Sequence, residues 1–589
     1  MVFTTRPELL GTHGMVASTH WLASQAGMAV LEDGGNAFDA AVAAGFVLHV
    51  VEPHLNGPGG DLPLIFRVGD DDPRVLCGQG VAPAAATIER FTGLGLDVVP
   101  GTGLLASAVP GATPAWLTLL RDHGTRTPAE VLKYAIGYAE HGHPILGRVV
   151  DLVTTMADHF TEYWPTSAAT WLPIPPAGRL FRLPALAATY RRLVAESESG
   201  QTREAKCDAA LAAWSQGFVA AAVDRFVRTP VRDTSGRDHA GLLTGQDMAT
   251  WTPTYEQPME YSWRGNRVFK CPGWTQGPAF LQTLALLDPL LPATLGQLGA
   301  DEIHTIIEAQ KLAFADRDAW FGDAPDAPDL AGLFAPDRLA GRRALIGPEA
   351  SLELRPGSLN GRDPRLPGRA LRMGDAVPAQ AGTGEPTVRR DGSTNGDTCH
   401  LDIVDRWGNV VSATPSGGWL QSSPTIPELG FCLGSRLQMV WLEPGLPSSL
   451  VPSRRPRTTL SPGMAISAEG VTTAFGTPGG DQQDQWPLVF WLAHTLGGQN
   501  LQQAIDHPSF NITALISSFE PRTWTPGGVE LEARYPEQVT TELRRRGHRV
   551  SVRPDWSLGR MSAATFDPAD GVLRAAANPR GMQGYAVGR

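Results

Sequence analysis

The sequence predicts an α/β (α+β) protein in which helices from the first half cover β-sheet that the second half supplies. Three observations predict it. Two small-residue-rich helical stretches, Leu22 to Glu32 and Asn36 to Val51, follow each other across Gly34-Gly35 and need a flat surface to pack on. The text from about Pro114 to Leu330 is rich in Ala and Leu with Pro-Gly interruptions, which reads as mostly helix. From Thr398 onward, short apolar runs alternate with Gly, Pro and Asn turns, which reads as strand. One core built from both halves is therefore expected, rather than two independent domains.

In chain order, Leu22 to Glu32 carries apolar residues at helical spacing and stops at Asp33-Gly34-Gly35. Asn36 can cap the next helix, with Asp39 at the third helical position, and Pro53 ends its apolar run. Gly57-Pro58-Gly59-Gly60 predicts a tight loop and Leu62 to Phe66 a buried strand. Asp301 to Ala319 predicts an amphipathic helix, with Ile303, Ile306, Ile307, Leu312 and Phe314 recurring at near-helical spacing. Arg355 to Asp397 holds eight Gly and five Pro in 43 residues, a composition expected to be exposed loop. Leu401 to Asp405, a turn at Arg406 to Asn409, and Val410 to Thr414 predict a β-hairpin directly after that segment.

Composition bounds the function. Hydrophobic residues at 42% and charged residues at 19% describe a globular protein, and a net charge of −11 argues against nucleic acid or an anionic membrane as partner. The five cysteines have no CxxC spacing, so no zinc site or disulfide framework is expected. There is no phosphate-cradling loop, and no cofactor or metal is implied. The longest apolar run, Ala40 to Val51, is well short of the roughly 20 residues that span a bilayer. The first residues lack the apolar core of a signal peptide, so the expectation is a cytoplasmic enzyme.

The chemistry concentrates at Asp397-Thr398-Cys399-His400, where the loose segment meets the hairpin. A threonine hydroxyl is protonated at neutral pH and needs a base. If the chain is cut between Asp397 and Thr398, Thr398 acquires a free α-amine, which titrates at about 7.7–8.0 in peptides and can take the hydroxyl proton. The oxyanion formed in such a reaction needs donors. Gly479 and Gly480, in Gly476-Thr477-Pro478-Gly479-Gly480, can aim two backbone N–H groups at it. Adjacent residues on a strand face opposite ways, so Cys399 and His400 cannot jointly serve one site and read as packing. His54 reads as a loop anchor as readily as a pocket residue. The arginines Arg362, Arg365, Arg369, Arg389 and Arg390 read as a solvated run.

Several blocks carry a resemblance. Gly14 to Ser18, Gly34 to Ala41, Val51-Glu52-Pro53 with Gly57 to Gly60, Asp397 to His400 with Gly408 to Val411, Arg455 to Pro462, Thr477 to Gly480, and Asn578-Pro579-Arg580 with Gly584 look like the blocks of the γ-glutamyltranspeptidase family, in that family's order. The resemblance implies a four-layer αββα sandwich of the N-terminal-nucleophile hydrolase type. It implies a self-processed precursor with a large subunit, 1–397, and a small one, 398–589, joined in one compact unit or in a dimer of such heterodimers. It implies Thr398 as nucleophile with its own amine as base, Ser416 as a second hydroxyl holding it, and Gly479 and Gly480 as the oxyanion hole. Thr458 and Thr459 fall where the family usually presents paired serines to the substrate carboxylate.

Three sites depart from that pattern. Gln79-Gly80 stands where the family has Arg-Glu, whose arginine grips the glutamyl carboxylate, and Gly418 stands where an asparagine is common. Arg436 and Met439 stand where a Gln and an Asp hold the substrate ammonium. A guanidinium there is expected to repel an ammonium and favour a carboxylate or carbonyl. Trp419 and Gln421 are further candidates for lining the pocket, the indole by stacking on a ring. The resulting expectation is an enzyme that forms an acyl-enzyme on Thr398 and hydrolyses or transfers a small acyl group of an amide substrate. By resemblance that group is γ-glutamyl, as in glutathione hydrolysis. The alternatives are a cephalosporin-acylase-like or oxamate-like amidohydrolase, a carbon–carbon hydrolase of natural-product biosynthesis such as antibiotic formation, and, in another class, a non-catalytic scaffold.

Overall fold

A computed structural model of the chain describes residues 3–372, 398–580 and 584–589. Asp397, half of the expected cleavage junction, lies outside the described residues, as do Arg389 and Arg390.

The strands of the central layers are, in chain order, β1 (Leu9–Gly11), β2 (Gly14–Ser18), β3 (Leu62–Arg67), β4 (Arg74–Gly78), β5 (Thr254–Glu256), β6 (Met259–Trp263), β7 (Asn266–Lys270), β8 (Leu401–Asp405), β9 (Val410–Ala413), β10 (Gly463–Ile466), β11 (Thr472–Gly476), β12 (Ser562–Phe566), β13 (Leu573–Ala577) and β14 (Tyr585–Gly588). They form two seven-stranded sheets, in the orders β14-β2-β8-β9-β3-β4-β5 and β1-β13-β12-β11-β10-β7-β6. Every neighbouring pair is antiparallel.

Side-chain alternation stacks these sheets into layers. Met15, Ile65, Val404 and Val410 of the first sheet meet Met464, Ala474, Ala564 and Leu573 of the second in one apolar seam. Their sequence neighbours Val16, Leu64, Ile403 and Val411 point the other way, into a core shared with α1 (Trp21–Glu32) and α2 (Ala37–Val51). On the far side, Ala465, Phe475 and Ala563 pack with α3 (Gly277–Leu287), α4 (Ala300–Trp320) and α5 (Trp486–Thr495). The result is the expected αββα sandwich.

Local chemistry sets the first helices. Asn36 accepts from the Phe38 and Asp39 amides, 3.0 Å each, and Asp39 returns a bond to the Asn36 N–H at 2.9 Å, a reciprocal cap of the kind the sequence predicts. The start of α1 uses a less usual cap, His20, whose Nδ1 accepts from the Leu22 amide at 3.0 Å. Burial lowers the His20 pKa to about 3, so the ring stays neutral and keeps that acceptor.

Three expectations need correction. The first sheet is not the gift of the second half, because β2, β3, β4 and β5 come from before residue 300. The stretch Pro114 to Leu330 is mostly helical, as expected, and also holds β5, β6 and β7, which extend both sheets from within it. The α4 helix is buried on nearly every side instead of being half exposed. Its polar residues are covered: Asp316 pairs with Arg338 and Arg342, and Glu308 pairs with Lys311 and Arg355. The described end of the loose segment, up to residue 372, is anchored: Arg365 pairs with Glu443, Arg369 pairs with Asp97, and Ala370 is buried.

Candidate active site

Thr398 lies just ahead of β8, a strand hydrogen-bonded on both sides, so its backbone is fixed by the middle of the first sheet. It bridges antiparallel to Ser416, which in turn bridges to Asp61. Cys399 N–H donates to the Pro415 carbonyl at 3.0 Å and extends the same pairing. This pairing brings Thr398 Oγ1 to 3.2 Å from Ser416 Oγ. Both hydroxyls are buried.

The Gly479-Gly480 loop leaves β11 with two consecutive residues in the left-handed region, φ 121° and 56°. A side chain at Gly479 would stand 2.5 Å from a Trp486 ring carbon, so the conformation depends on glycine. The next turn delivers a residue that the motif reading missed. Gln483 Nε2 points at Thr398 Oγ1 at 3.5 Å, a long contact. Its amide orientation is set by Ser461, whose N–H donates to Gln483 Oε1 at 3.0 Å. Ser461 Oγ also holds Asp484, and Asp484 forms a fully buried ion pair with Lys270 at 2.9 Å. The signal available in the sequence was the density of polar groups in Asp481-Gln482-Gln483-Asp484 directly behind two glycines.

On the other side of Ser416, the Gly57–Gly60 loop lies close against the chain. A Cβ on Gly60 would fall 2.1 Å from the Ser416 carbonyl oxygen. Here a small cavity of about 10 Å³, room for about one water, is bounded by Gly60, Asp61, Gln79, Gly417 and Arg436. Gln79 and Arg436 therefore come together as expected, but Arg436 is not an uncompensated cation. Its Nε and Nη2 grip Asp61 at 2.6 and 3.0 Å, a buried bidentate pair. Burial lifts the Asp61 carboxyl above its ordinary range, with Arg436 opposing the rise. The repulsion of an ammonium expected from Arg436 is thus largely cancelled by a residue 375 positions away in sequence. Met439 offers its Sδ to Arg436 Nη1 at 3.4 Å and supplies no charge.

The remaining candidates fall around these groups. Trp419 donates its indole N–H to the Leu55 carbonyl at 2.6 Å, and its ring centre lies 5.7 Å from the Arg436 guanidinium carbon. Gln421 donates to the His54 carbonyl at 3.1 Å. Both tie the Ser416–Gln421 segment to the loop after α2, and neither bounds the small cavity at Asp61 and Arg436. Thr458 and Thr459 are fully buried. Thr458 Oγ1 accepts from the Leu460 amide, whereas Thr459 Oγ1 has no hydrogen-bond partner among the described residues.

Cys399 and His400 face opposite ways. The thiol meets Glu52 Oε2 at 3.0 Å, and burial followed by that carboxylate raises its pKa well above the ordinary value, so it is not a thiolate. The His400 ring bonds Thr414 Oγ1 at 2.8 Å and Asp402 Oδ1 at 3.0 Å and fills the space over Gly476. Asn578-Pro579-Arg580 lies elsewhere, with Arg580 clamping Glu532 and the Ile505 and His507 carbonyls. One group with metal-ligand spacing exists among the described residues: His304, Glu308 and His548. Lys311 and Arg355 occupy both oxygens of Glu308, at 2.7 and 2.8 Å, and the two rings bond each other at 2.8 Å, so the cluster is already satisfied without an ion. No described helix is long and apolar enough to cross a membrane.

Known proteins resemble the chain along nearly its whole length. The family model described as Gamma-glutamyltranspeptidase matches residues 23–588. The chain is 29% identical to the oxamate amidohydrolase proenzyme of Klebsiella pneumoniae, over 98% of this chain and 99% of that one. It is 30% identical to the acylase ACY 1 proenzyme of a Pseudomonas species, over 96% and 92%. Among solved structures, LmbA2991HD superposes with a TM-score of 0.94 at 56% identity over the whole of both chains. A cephalosporin acylase from Bacillus halodurans superposes at 0.81 and 26%, over 100% of this chain and 97% of that one. A match that runs through nearly the whole sequence, on this sandwich, means that the chain belongs to the gamma-glutamyltranspeptidase family of N-terminal-nucleophile acyl hydrolases and transferases.

Proposed function

We propose that this chain is a proenzyme that cuts itself between Asp397 and Thr398 and then works as an acyl hydrolase or acyltransferase through Thr398. The observation that carries the reading is the placement of Thr398 Oγ1 between Ser416 Oγ, at 3.2 Å, and Gln483 Nε2, at 3.5 Å, beside the Gly479-Gly480 turn. In the first reaction Thr398 Oγ1 attacks the Asp397 carbonyl carbon, the acyl group moves from nitrogen to oxygen, and water opens the ester. In the second, the freed α-amine takes the hydroxyl proton as Oγ1 attacks the substrate carbonyl and returns it to the leaving amine. Water or an amine then releases the acyl group. The names of the relatives, several of them proenzymes, favour the same two-stage reading.

The acyl group is proposed to be other than γ-glutamyl. Gln79 cannot neutralise a glutamyl carboxylate, Met439 cannot hold its ammonium, and the Arg436 charge is committed to Asp61. An amidohydrolase or acylase specificity fits these positions better. Purified protein should run as two fragments on a denaturing gel, with Thr398 at the amino end of the smaller. Thr398→Ala should remain one chain without turnover. A panel of γ-glutamyl, glutaryl and oxamoyl anilides tests the specificity: marked preference for the γ-glutamyl compound would overturn it, and a single uncut yet active chain would overturn the mechanism.

A further inference from the structure

The Gly479-Gly480 turn has little stiffness of its own, so the direction of its N–H groups must be set from outside. Glycine has no Cβ to restrict rotation about its backbone bonds, and two in succession leave the peptide unit between them free to turn. Both residues are buried, and neither the Gly479 N–H nor the Gly480 N–H has an acceptor among the described residues. Buried backbone donors without partners are rare in native proteins and call for an explanation. Beside a nucleophile, two such donors are what a developing oxyanion requires.

In a trans peptide unit the C=O and the N–H point opposite ways, so tying the oxygen aims the hydrogen. The Pro478 oxygen shares a unit with the Gly479 N–H and accepts from Thr477 Oγ1 at 2.9 Å. The Gly479 oxygen shares a unit with the Gly480 N–H and accepts from the Gln482 N–H at 3.0 Å. At the far end, the Gly480 oxygen accepts from Gln276 Nε2 at 3.3 Å. Three consecutive carbonyls are tied while the two glycine N–H groups are left open. Arginine only donates, so Arg317 Nη1, 3.1 Å from Gln276 Oε1, fixes which end of that amide is the donor. Arg317 also pairs with Asp481, the residue after Gly480, and Asp481 accepts from Ser518 N–H at 2.9 Å and Oγ at 2.6 Å. Thr477, Gln276, Arg317 and Asp481 are all buried, where water does not compete for these bonds.

We propose that Thr477 and Gln276 are positioning residues for the chemistry at Thr398. The Thr477 hydroxyl aims the Gly479 N–H, and Gln276, oriented by Arg317, pins the far end of the turn. Neither side chain touches the reacting atoms. The proposal rests on the reading of Thr398 as nucleophile and covers both stages of that reading. In each stage Thr398 Oγ1 adds to a carbonyl carbon, the π pair moves onto the carbonyl oxygen, and the same turn receives the charge.

Two measurements test this on the full chain. Self-cleavage is followed on denaturing gels after synthesis in a cell-free extract, and kcat and KM are measured for the matured protein on the anilide it hydrolyses best. Thr477→Val keeps the side-chain shape and loses the hydroxyl. It should slow self-cleavage and lower kcat by about tenfold to a hundredfold, the range for an oxyanion donor turned aside, with KM changed less than about twofold. Thr477→Ser restores the hydroxyl and should return both rates to within about threefold of wild type. Gln276→Met leaves Arg317 its pairs with Asp318 and Asp481 and should lower both rates by about tenfold. The pH midpoint of kcat should stay in place in every variant, because the α-amine is untouched.

Wild-type self-cleavage or wild-type kcat in the folded Thr477→Val and Gln276→Met proteins overturns the proposal and leaves the reading of Thr398 standing. So does a change carried by KM alone, or a Thr477→Ser protein no better than Thr477→Val. A wild-type chain that is never cut and turns nothing over removes the nucleophile, and with it any oxyanion for the turn to hold. If the wild type cuts itself but hydrolyses no anilide, the self-cleavage rates decide alone. Where one of the two variants does not fold, the other decides.

Discussion

Gln483 offers a sharp test, because one atom can be changed while its surroundings are kept. In Gln483→Glu the side-chain oxygen that accepts from Ser461 N–H at 3.0 Å is retained, so the turn keeps its hydrogen bond. The amide nitrogen 3.5 Å from Thr398 Oγ1 becomes a carboxylate oxygen. Two unit charges at that separation repel by about 5 kcal/mol at an effective dielectric of about 20. With roughly half a charge on the attacking and carbonyl oxygens at the transition state, the penalty is about 2 kcal/mol, or about thirtyfold in rate. Both stages should suffer, so precursor cleavage followed on denaturing gels and kcat of any matured fraction should fall together, with Tm nearly unchanged. Gln483→Leu supplies the contrast. It strands the Ser461 N–H and should cost about 1–3 kcal/mol of stability. Wild-type processing and turnover in a folded Gln483→Glu protein would show that this amide does not face the reacting oxygen.

Three further outcomes are expected. Gly479→Ala places a methyl 2.5 Å from Trp486 at φ 121° and must shift the turn; kcat should fall about 100- to 1,000-fold with a smaller effect on KM, and unchanged kcat would remove this turn from the oxyanion hole. Lys270→Met leaves Asp484 buried and unpaired and should cost about 3–5 kcal/mol by denaturant titration, whereas the double replacement Lys270→Met with Asp484→Leu should recover much of it. Burial holds His20 and His49 at about 3, against an ordinary value of 6.5, so between these limits the unfolded chain binds more protons than the native one. Stability is then fully present above about pH 6.5 and falls as the pH drops, by about 1.4 kcal/mol per unit for each ring. A denaturation midpoint that stays constant from pH 7 to pH 5 would contradict this.

The parts of this fold and site that could be read from sequence are those encoded by neighbours. The Asn36–Asp39 cap, the strand from Leu62 and the hairpin from Leu401 to Ala413 each depend on residues a few positions apart, and the structure has them. Thr398 and Ser416 come together because that hairpin returns the chain alongside itself. What escaped was set by distant pairing. The fate of the Arg436 charge depends on Asp61, and the orientation of Gln483 depends on Ser461. The strands β5 to β7 were hidden because they are short, lie inside a longer stretch dominated by helix, and include edge strands with partly exposed residues. The α4 helix read as amphipathic because its buried Asp and Glu look like surface residues until Arg338, Arg342 and Arg355 are seen to cover them.

The strand order carries a consequence for the life of the molecule. Residues on either side of position 398 are woven through the same sheet, with β8 and β9 clasped between β2 and β3. The proposed scission at that point would therefore remove a covalent tie without loosening the native body, and the fragments would have no path apart short of melting the sandwich. The return journey differs: once separated, two chains must find each other in dilute solution, where the uncut precursor needs only to fold on itself. Heating and cooling should thus be reversible before scission and hysteretic after it, which would make the proposed cut a one-way commitment to whatever conformation the precursor has reached.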